Sequence, residues 1–418
     1  METVCLILPT GTYRAAEYLA AARRLGVAVV TASEARQALS EKMGAHFLQL
    51  PLERPTEAAH LIVAHEDKVH LDAVVAVDDE GLAVASMAAE ALGLRTSPPA
   101  SVRMTRDKAS MRLAFSLAGV SQPRFLVVSG KNPASAAEAA EALGPPVVVK
   151  PVGLSASRGV IRADSPAEAA AAARRASAIA TEAGEPPEAS LLVEGFVEGP
   201  EIALEGVLWG GELEVVTIFD KPDPLEGPYF EETFYLAPSA LPAEAAEAVV
   251  AEVRRAVAAI GLREGPVHAE LRLPPGGPPV VIEVAARTIG GRCSKALALE
   301  GGASLEELII ARALGRATPA ASLAGPAGVL MIPISTSGRL RAVHNQEKAR
   351  ALRHITGVEI TVPAGQEIRA LPEGDRYLGF VFAAAPTREE VEAALRRAEA
   401  TLTVEIDPLP AAPAGTVA

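Results

Sequence analysis

Two glutamates one strand apart carry the first chemical signal. The segment GPVHAELRLPPGGPPVVIEVAARTIGG runs from Gly265 to Gly291. Read as a hairpin turning at Gly276 and Gly277, it sets Glu270 opposite Glu283. Side chains alternate faces along a strand, so His268, Glu270 and Arg272 share one face while Ala269, Leu271 and Leu273 take the other. Val281, Glu283 and Ala285 are expected on the Glu270 face. Like charges directly opposite each other destabilise a ladder. Two carboxylates held together therefore call for a cation or a shared proton. Mg²⁺ takes oxygen ligands and is commonly held by one or two carboxylates plus substrate phosphates. The pattern points to a Mg²⁺–nucleotide site, with a solvated hairpin bearing ordinary surface acids as the alternative. The prolines at 274, 275, 278 and 279 leave the register near the turn open.

A second set of residues lies upstream. Lys150 ends the apolar run VVVK just before PVGLSASRGV. There Gly153, Ser155, Ser157 and Gly159 can offer backbone N–H and hydroxyl donors to phosphate oxygens. No G-K-[ST] opens a helix, so this is not the Walker pattern. Lys150 reads as a strand-end cation rather than a core residue, and Lys108 by itself as a solvated helix residue. VEGFVEG, from Val193 to Gly199, ends one strand and turns into another, and such a connection can present an acceptor and a donor to an adenine edge. Glu201 opens the next strand on the same face as Glu205, either on ribose hydroxyls or in solvent.

These residues need elements to hold them. VCLIL (4–8), VAVVTAS (27–33) and DAVVAVDD (72–79) read as strands, alternating with helices over 13–25 and 81–92 that end at Gly26 and Gly93. Such alternation indicates a parallel, doubly wound sheet, whose ligands bind beyond the carboxyl ends of its strands. Thr10 to Tyr13, Asp78 and Asp79 are thus candidate contacts, with turn and helix-cap chemistry as the alternative. SPPASV (97–102) reads as a linker, and 105–120 as a helix capped by Thr105 or Asp107. A helix is expected over 165–184 and strands over 191–220, with a tight Gly210-Gly211 hairpin. Helices over 243–260 and 304–314 follow, then a linker at 315–328. Short strands, a helix at 387–400 and a loose tail at 407–418 close the chain.

Composition narrows the partners. The chain has 418 residues, enough for several domains, and a net charge of -13. That charge argues against nucleic acid or an acidic membrane surface as the main partner. No apolar run is long enough to span a bilayer, and METVCLILPT reads as a first strand rather than a signal peptide. Two cysteines give neither a disulfide framework nor a metal cluster, and fit a reducing cytoplasm. Cys5 reads as strand core, and Cys293 as a packed small residue or a reactive thiol.

In order along the chain stand a helix lysine, a strand lysine with a glycine loop, the E-x-x-V connection at 194–197 and a hairpin ending E-V-A-A-R. This succession resembles the signature of the ATP-grasp superfamily, over about Ser101 to Arg316. The chain end, including YLGFVFAAAPTREEVEAAL (377–395), resembles the small C-terminal domain of the L-amino-acid ligase branch, enzymes that join amino acids into dipeptides. The implied fold class is α/β and α+β. A pre-ATP-grasp domain with a doubly wound parallel sheet spans 1–100. An ATP-grasp domain spans 101–316, in lobes of about 101–185 and 186–316, and a small α+β domain with a loose tail spans 317–418.

The resemblance also implies roles. Lys108 and Lys150 would reach the ATP phosphates, and Gly153, Ser155, Ser157 and Gly159 would form the phosphate lid. Glu194, Gly195, Phe196 and Val197 would line the adenine, and Glu201 would hold the ribose. Glu270 and Glu283 would bind Mg²⁺, with Mn²⁺ as the substitute ion. Arg287 would neutralise the transferred phosphoryl group, and His268 would meet the substrate. The implied activity is a carboxylate–amine ligase that forms an acylphosphate at the expense of ATP. Its partners would be small-molecule carboxylates and amines, with a homodimer common among such enzymes. KPDPLEGPYFEE (221–232) is a second candidate lid, in which Lys221, Asp223 and Tyr229 either read substrate or belong to a plain surface loop. One position departs from many relatives: where they carry Asn, two residues past the second metal carboxylate, stands Ala285. A catalytically impaired ATP-binding regulator is therefore one competing reading, and a bicarbonate-activating carboxylase is another.

Overall fold

The computed structural model describes residues 1–35, 46–318 and 321–408. It divides into two compact units. The first comprises 1–124, 197–220 and 237–325, and the second 125–196, 221–236 and 326–418.

The first unit contains two sheets. One is parallel, with strands in the order His46–Gln49, Ala28–Ser33, Thr3–Ile7 and Ala73–Ala76. Thr3–Ile7 and Ala73–Ala76 are short, buried and largely apolar, and helices Ala15–Leu25 and Asp79–Ala91 follow them. Gly26 closes the first of these helices with φ 67°, a left-handed cap that glycine takes at little cost. The other sheet is an antiparallel ladder of Val280–Ala285, Gly265–Arg272, Glu201–Trp209 and Glu212–Asp220, in that order. The expected Gly210-Gly211 hairpin joins the last two strands. Val253, Val257 and Ile260 of the helix Ala243–Ile260 share one apolar core with Leu204, Ala269, Leu271, Val281 and Val284.

The Ser97–Val102 segment is not an open linker. Pro99 starts a helix, Pro99–Met104, where its missing N–H costs nothing. Ser97 Oγ donates to the Glu264 carbonyl and accepts the N–H groups of Arg263 and Glu264. The next helix is Lys108–Ala118, capped by Asp107, whose side chain accepts the Ser110 N–H at 3.0 Å. Its capping residue is thus the second of the two that the sequence allowed.

In the second unit, strands Phe125–Ser129, Ser190–Gly195, Val147–Pro151 and Ile161–Ala163 form an antiparallel sheet in that order. Small alanines of Pro133–Leu143 and Pro166–Glu182 pack on it, which lets both helices approach closely. The rest of the unit is built on Ala327–Ile332, Gly379–Ala384 and Ile355–Ile360, paired antiparallel. Helix Arg388–Thr401 covers them, its start fixed by a capping box between Thr387 and Glu390. A small sheet of Glu367–Ile368, Gly338–His344 and Thr403–Pro408 completes it. Asp407 and Pro408, read as the start of the tail, end this last strand, and residues 409–418 lie outside the described residues.

Candidate active site

The carboxylate hairpin belongs to the first unit. Glu270 pairs with Glu283 and His268 with Ala285, as the alternation requires. Beyond Glu270 the register shifts: Leu271 pairs with Val281 and Arg272 with Val280, leaving Ile282 as an extra residue. Val281 therefore turns into the apolar core with Leu271 rather than joining the glutamate face. Buried Arg112 holds this bulge by donating to the Val281 carbonyl at 3.3 Å and the Ile282 carbonyl at 2.6 Å. Bulges re-aim side chains near sites, and this one sits directly beside Glu283.

Each glutamate side chain keeps some access to solvent, 22% for Glu270 and 24% for Glu283. Lys108 Nζ lies 3.3 Å from both oxygens of Glu283. Lys108 is buried, not solvated. Two opposed carboxylates, accessible and rich in oxygen, fit a hard divalent cation.

His268 is held from both sides. Its Nδ1 lies 3.4 Å from Glu205 and its Nε2 lies 3.3 Å from Glu270. Burial works against the imidazolium, but the two carboxylates outweigh it and raise the pKa of the ring. Glu205 is fully buried, and burial raises its carboxyl pKa despite His268 and the Ile289 N–H that Oε2 accepts at 3.0 Å. Glu201 accepts from Arg272 Nε at 3.0 Å, and Arg272 also donates to the Val197 carbonyl at 3.0 Å. Arg287 donates Nε to Asp79 at 3.2 Å, and Arg106 approaches the other Asp79 oxygen at 2.8 Å. Burial opposes the Asp79 charge, yet the two arginines hold its carboxyl below the usual range. Asp78 instead meets Arg14, at 3.3 Å.

In the second unit, Lys150 Nζ stands 2.5 Å from Glu194, and both side chains are almost wholly buried. Lys150 is therefore a core residue as well as a strand-end cation, and Glu194 is its counter-ion. Gly195 closes the same strand opposite Val147, and Phe196 stacks with Phe230 at 6.3 Å under the Arg162 guanidinium. In the glycine loop, Ala156, Ser157 and Gly159 all have positive φ. The Ser155 and Ser157 carbonyls accept the Arg158 and Val160 N–H groups, and the Gly159 N–H reaches the Pro372 carbonyl at 2.9 Å. A Cβ on Gly153 would meet the Glu185 carboxylate. The second candidate lid is tied down: Lys221 pairs with Glu232, Asp223 with Arg396 at 2.6 Å, and Tyr229 with Arg175.

The hairpin, both lysines and the glycine loop were legible as chemistry in the sequence, but several of their partners were not. Arg112 sits among ordinary helix residues and Arg106 in the turn before them, and only folding joins them to Ile282 and Asp79. Glu205 carried a signal, the two-residue periodicity shared with Glu201.

Comparison with known proteins places the chain among relatives. The ATP-grasp domain model matches residues 143–296, the ATP-grasp N-terminal domain 19–96, and the L-amino acid ligase C-terminal domain 2 residues 330–407. The chain is 29% identical over 250 residues to alanine–anticapsin ligase of Bacillus subtilis (strain 168), covering 56% of this chain and 52% of that protein. It is 30% identical over 185 residues to D-alanine–D-alanine ligase of Aromatoleum aromaticum, covering 43% and 56%. The chain spans about half the length of the curated relatives it matches. The crystal structure of L-amino acid ligase from Bacillus licheniformis superposes with TM-score 0.80 at 27% identity, covering 97% of this chain and 99% of that one. Among the described residues no helix is long and apolar enough to cross a membrane. With three domain models aligned in order along it, the chain belongs to the ATP-grasp superfamily, and its C-terminal segment is of the L-amino acid ligase type.

Proposed function

We propose that the protein is an ATP-dependent carboxylate–amine ligase acting on small molecules, with an amino acid as the activated carboxylate. The observation that carries this reading is the opposed pair Glu270 and Glu283, with Lys108 3.3 Å from Glu283 and Arg287 four residues beyond it. The likeness to a solved L-amino acid ligase along nearly the whole of both chains supports it.

In this reading Glu270 and Glu283 hold Mg²⁺, which screens phosphate charge when bound. Lys108 and Lys150 meet the phosphates, and Gly153, Ser155, Ser157 and Gly159 cover them. Glu194, Gly195, Phe196 and Val197 receive the adenine, and Glu201 the ribose. A substrate carboxylate oxygen attacks the γ-phosphorus of ATP. The bond to the bridging oxygen breaks and ADP leaves. The amine nitrogen of the second substrate then attacks the acyl carbon, phosphate departs and the nitrogen sheds its proton. Arg287 neutralises the phosphoryl oxygens as a planar donor, and His268 faces the carboxylate substrate. The acylphosphate hydrolyses readily, so water must be kept out. Mn²⁺ suits the same oxygen donors, and a homodimer in a reducing cytoplasm completes the reading.

Ala285 favours a second reading. It lies opposite His268 and offers no ligand atom, which fits a protein that binds ATP without turnover. The test is to incubate the protein with Mg²⁺·ATP, hydroxylamine and pools of amino acids, with a bicarbonate arm and an Arg287→Ala control. Hydroxamate that tracks ADP release and disappears in the control is the expected result. ADP release with bicarbonate alone would favour the carboxylase reading. ATP binding with neither product would favour the regulator.

A further inference from the structure

Asp79 opens the helix Asp79–Ala91, just past the carboxyl end of the strand Ala73–Ala76. Its oxygens are divided between two arginines. Oδ1 accepts from Arg287 Nε at 3.2 Å, and Oδ2 faces Arg106 Nη1 at 2.8 Å. Arg287 Nη1 is committed as well, donating to the Thr288 carbonyl at 2.9 Å. Two of the three guanidinium nitrogens are thus tied, one to a side chain and one to backbone. Among the described residues, Nη2 makes no hydrogen bond to the protein.

We propose that Asp79 is a positioning residue for Arg287: it fixes the guanidinium through Nε and leaves Nη2 for the oxygens of the transferred phosphoryl group, while Arg106 holds Asp79 in place. The assignment deepens the ligase reading and rests on it for the role of Arg287. A planar guanidinium tied at two nitrogens keeps one orientation. A donor fixed before charge develops needs no reorganisation when it does. Asp79 is also well placed to stay ionised, because a helix N-terminus favours a carboxylate. Without that anion, Arg287 and Arg106 become two neighbouring cations with nothing between them, and repulsion drives Arg287 out of position.

The test has two arms. In the first, the Arg287 Nε–H resonance of the full chain is assigned by its loss in Arg287→Lys, and inorganic phosphate is titrated in. The expected result is a slowly exchanging Nε–H that shifts with phosphate, and that in Asp79→Asn exchanges at least tenfold faster and no longer responds. A wild-type Nε–H that exchanges like an exposed arginine, or an identical phosphate response in Asp79→Asn, would overturn the proposal. The second arm measures ADP release. Asp79→Asn should lower kcat at least tenfold while the Kd for Mg²⁺·ATP stays within twofold, and Asp79→Glu should recover part of the loss. Unchanged kcat, or a Kd that weakens in parallel, would also overturn it. If the wild-type chain turns over no carboxylate, the ligase reading fails, and the resonance arm still decides whether Asp79 positions Arg287.

Discussion

Glu270 lies directly opposite Glu283 in the antiparallel ladder, and the bulge at Ile282 begins immediately beyond that pair. The bulge shifts the register on the side away from His268 and Ala285, where Leu271 pairs with Val281 and Arg272 with Val280. It also leaves Glu283 next to two carbonyls anchored by Arg112. The carboxylate pair is thereby built on a locked stretch of sheet rather than on a loop.

Glu283→Gln is expected to abolish turnover and to weaken Mg²⁺-dependent ATP binding more than Glu270→Gln does. Ala285 offers no side-chain ligand atom, so in the ligase reading Glu283 would carry more of the coordination, and it is also the acid next to Lys108. Calorimetric Mg²⁺ titrations of ATP binding compare the two variants with the parent. Three superimposable curves would remove the pair from the metal site.

Lys150→Ala should lower ATP affinity and also destabilise the second unit. The sequence pointed to a cation with no core role, but Glu194 lies 2.5 Å away and is even more deeply buried than Lys150. Removing one partner of a buried pair costs about 3–5 kcal/mol, whereas replacing both by apolar residues of similar volume is often close to neutral. The double variant Lys150→Met/Glu194→Leu, which keeps the volume filled, should therefore regain much of the stability without regaining affinity. Denaturant melts and nucleotide calorimetry on the single and double variants separate the effects. Additive stability losses would argue against the pair.

Glu270 and Glu283 could be read from sequence because a two-residue period and a glycine turn fix a hairpin register locally. The bulge could not, because it depends on an arginine 170 residues away that takes the Ile282 carbonyl. The same distance effect hid the burial of Lys108 and Lys150: a lysine looks solvated until its acid is brought to it. Ser97–Val102 misled for a different reason. Its prolines look like linker composition, but Pro99 is at a helix start, and Ser97 is bound to the Arg263–Glu264 backbone. The ends of helices at Gly26 and Gly119, by contrast, follow from glycine at the left-handed cap.

Asp223 gives a pH dependence with a definite sign. Burial opposes its charge, but Arg396 at 2.6 Å and the Thr233 hydroxyl hold its carboxyl below the ordinary 3.8. The unfolded chain therefore takes up the proton first as pH falls. The stabilisation is fully present above about pH 4–5 and is lost as pH drops through the folded pKa. Asp223→Asn should melt lower than the parent at neutral pH, and the gap should close in acid. Thermal melts between neutral pH and about pH 2.5 measure it. A gap constant across that range would exclude the titration.

The last expectation separates backbone strain from crowding at the glycine loop. Gly26 and Gly159 have nearly the same φ, +67° and +74°. A Cβ on Gly26 would meet nothing within 4 Å, while one on Gly159 would lie 2.8 Å from Pro151 Cγ and 3.0 Å from its Cδ. Gly26→Ala should cost only the left-handed strain, roughly 1–2 kcal/mol. Gly159→Ala adds a clash with a proline ring that has no rotamer to escape into, so the loop itself must move. Its stability loss should exceed that of Gly26→Ala, and it alone should weaken Mg²⁺·ATP binding. Melts and nucleotide calorimetry on both variants provide the comparison. If Gly159→Ala is destabilised but binds Mg²⁺·ATP as tightly as the parent, the loop at 153–159 is not the phosphate cover.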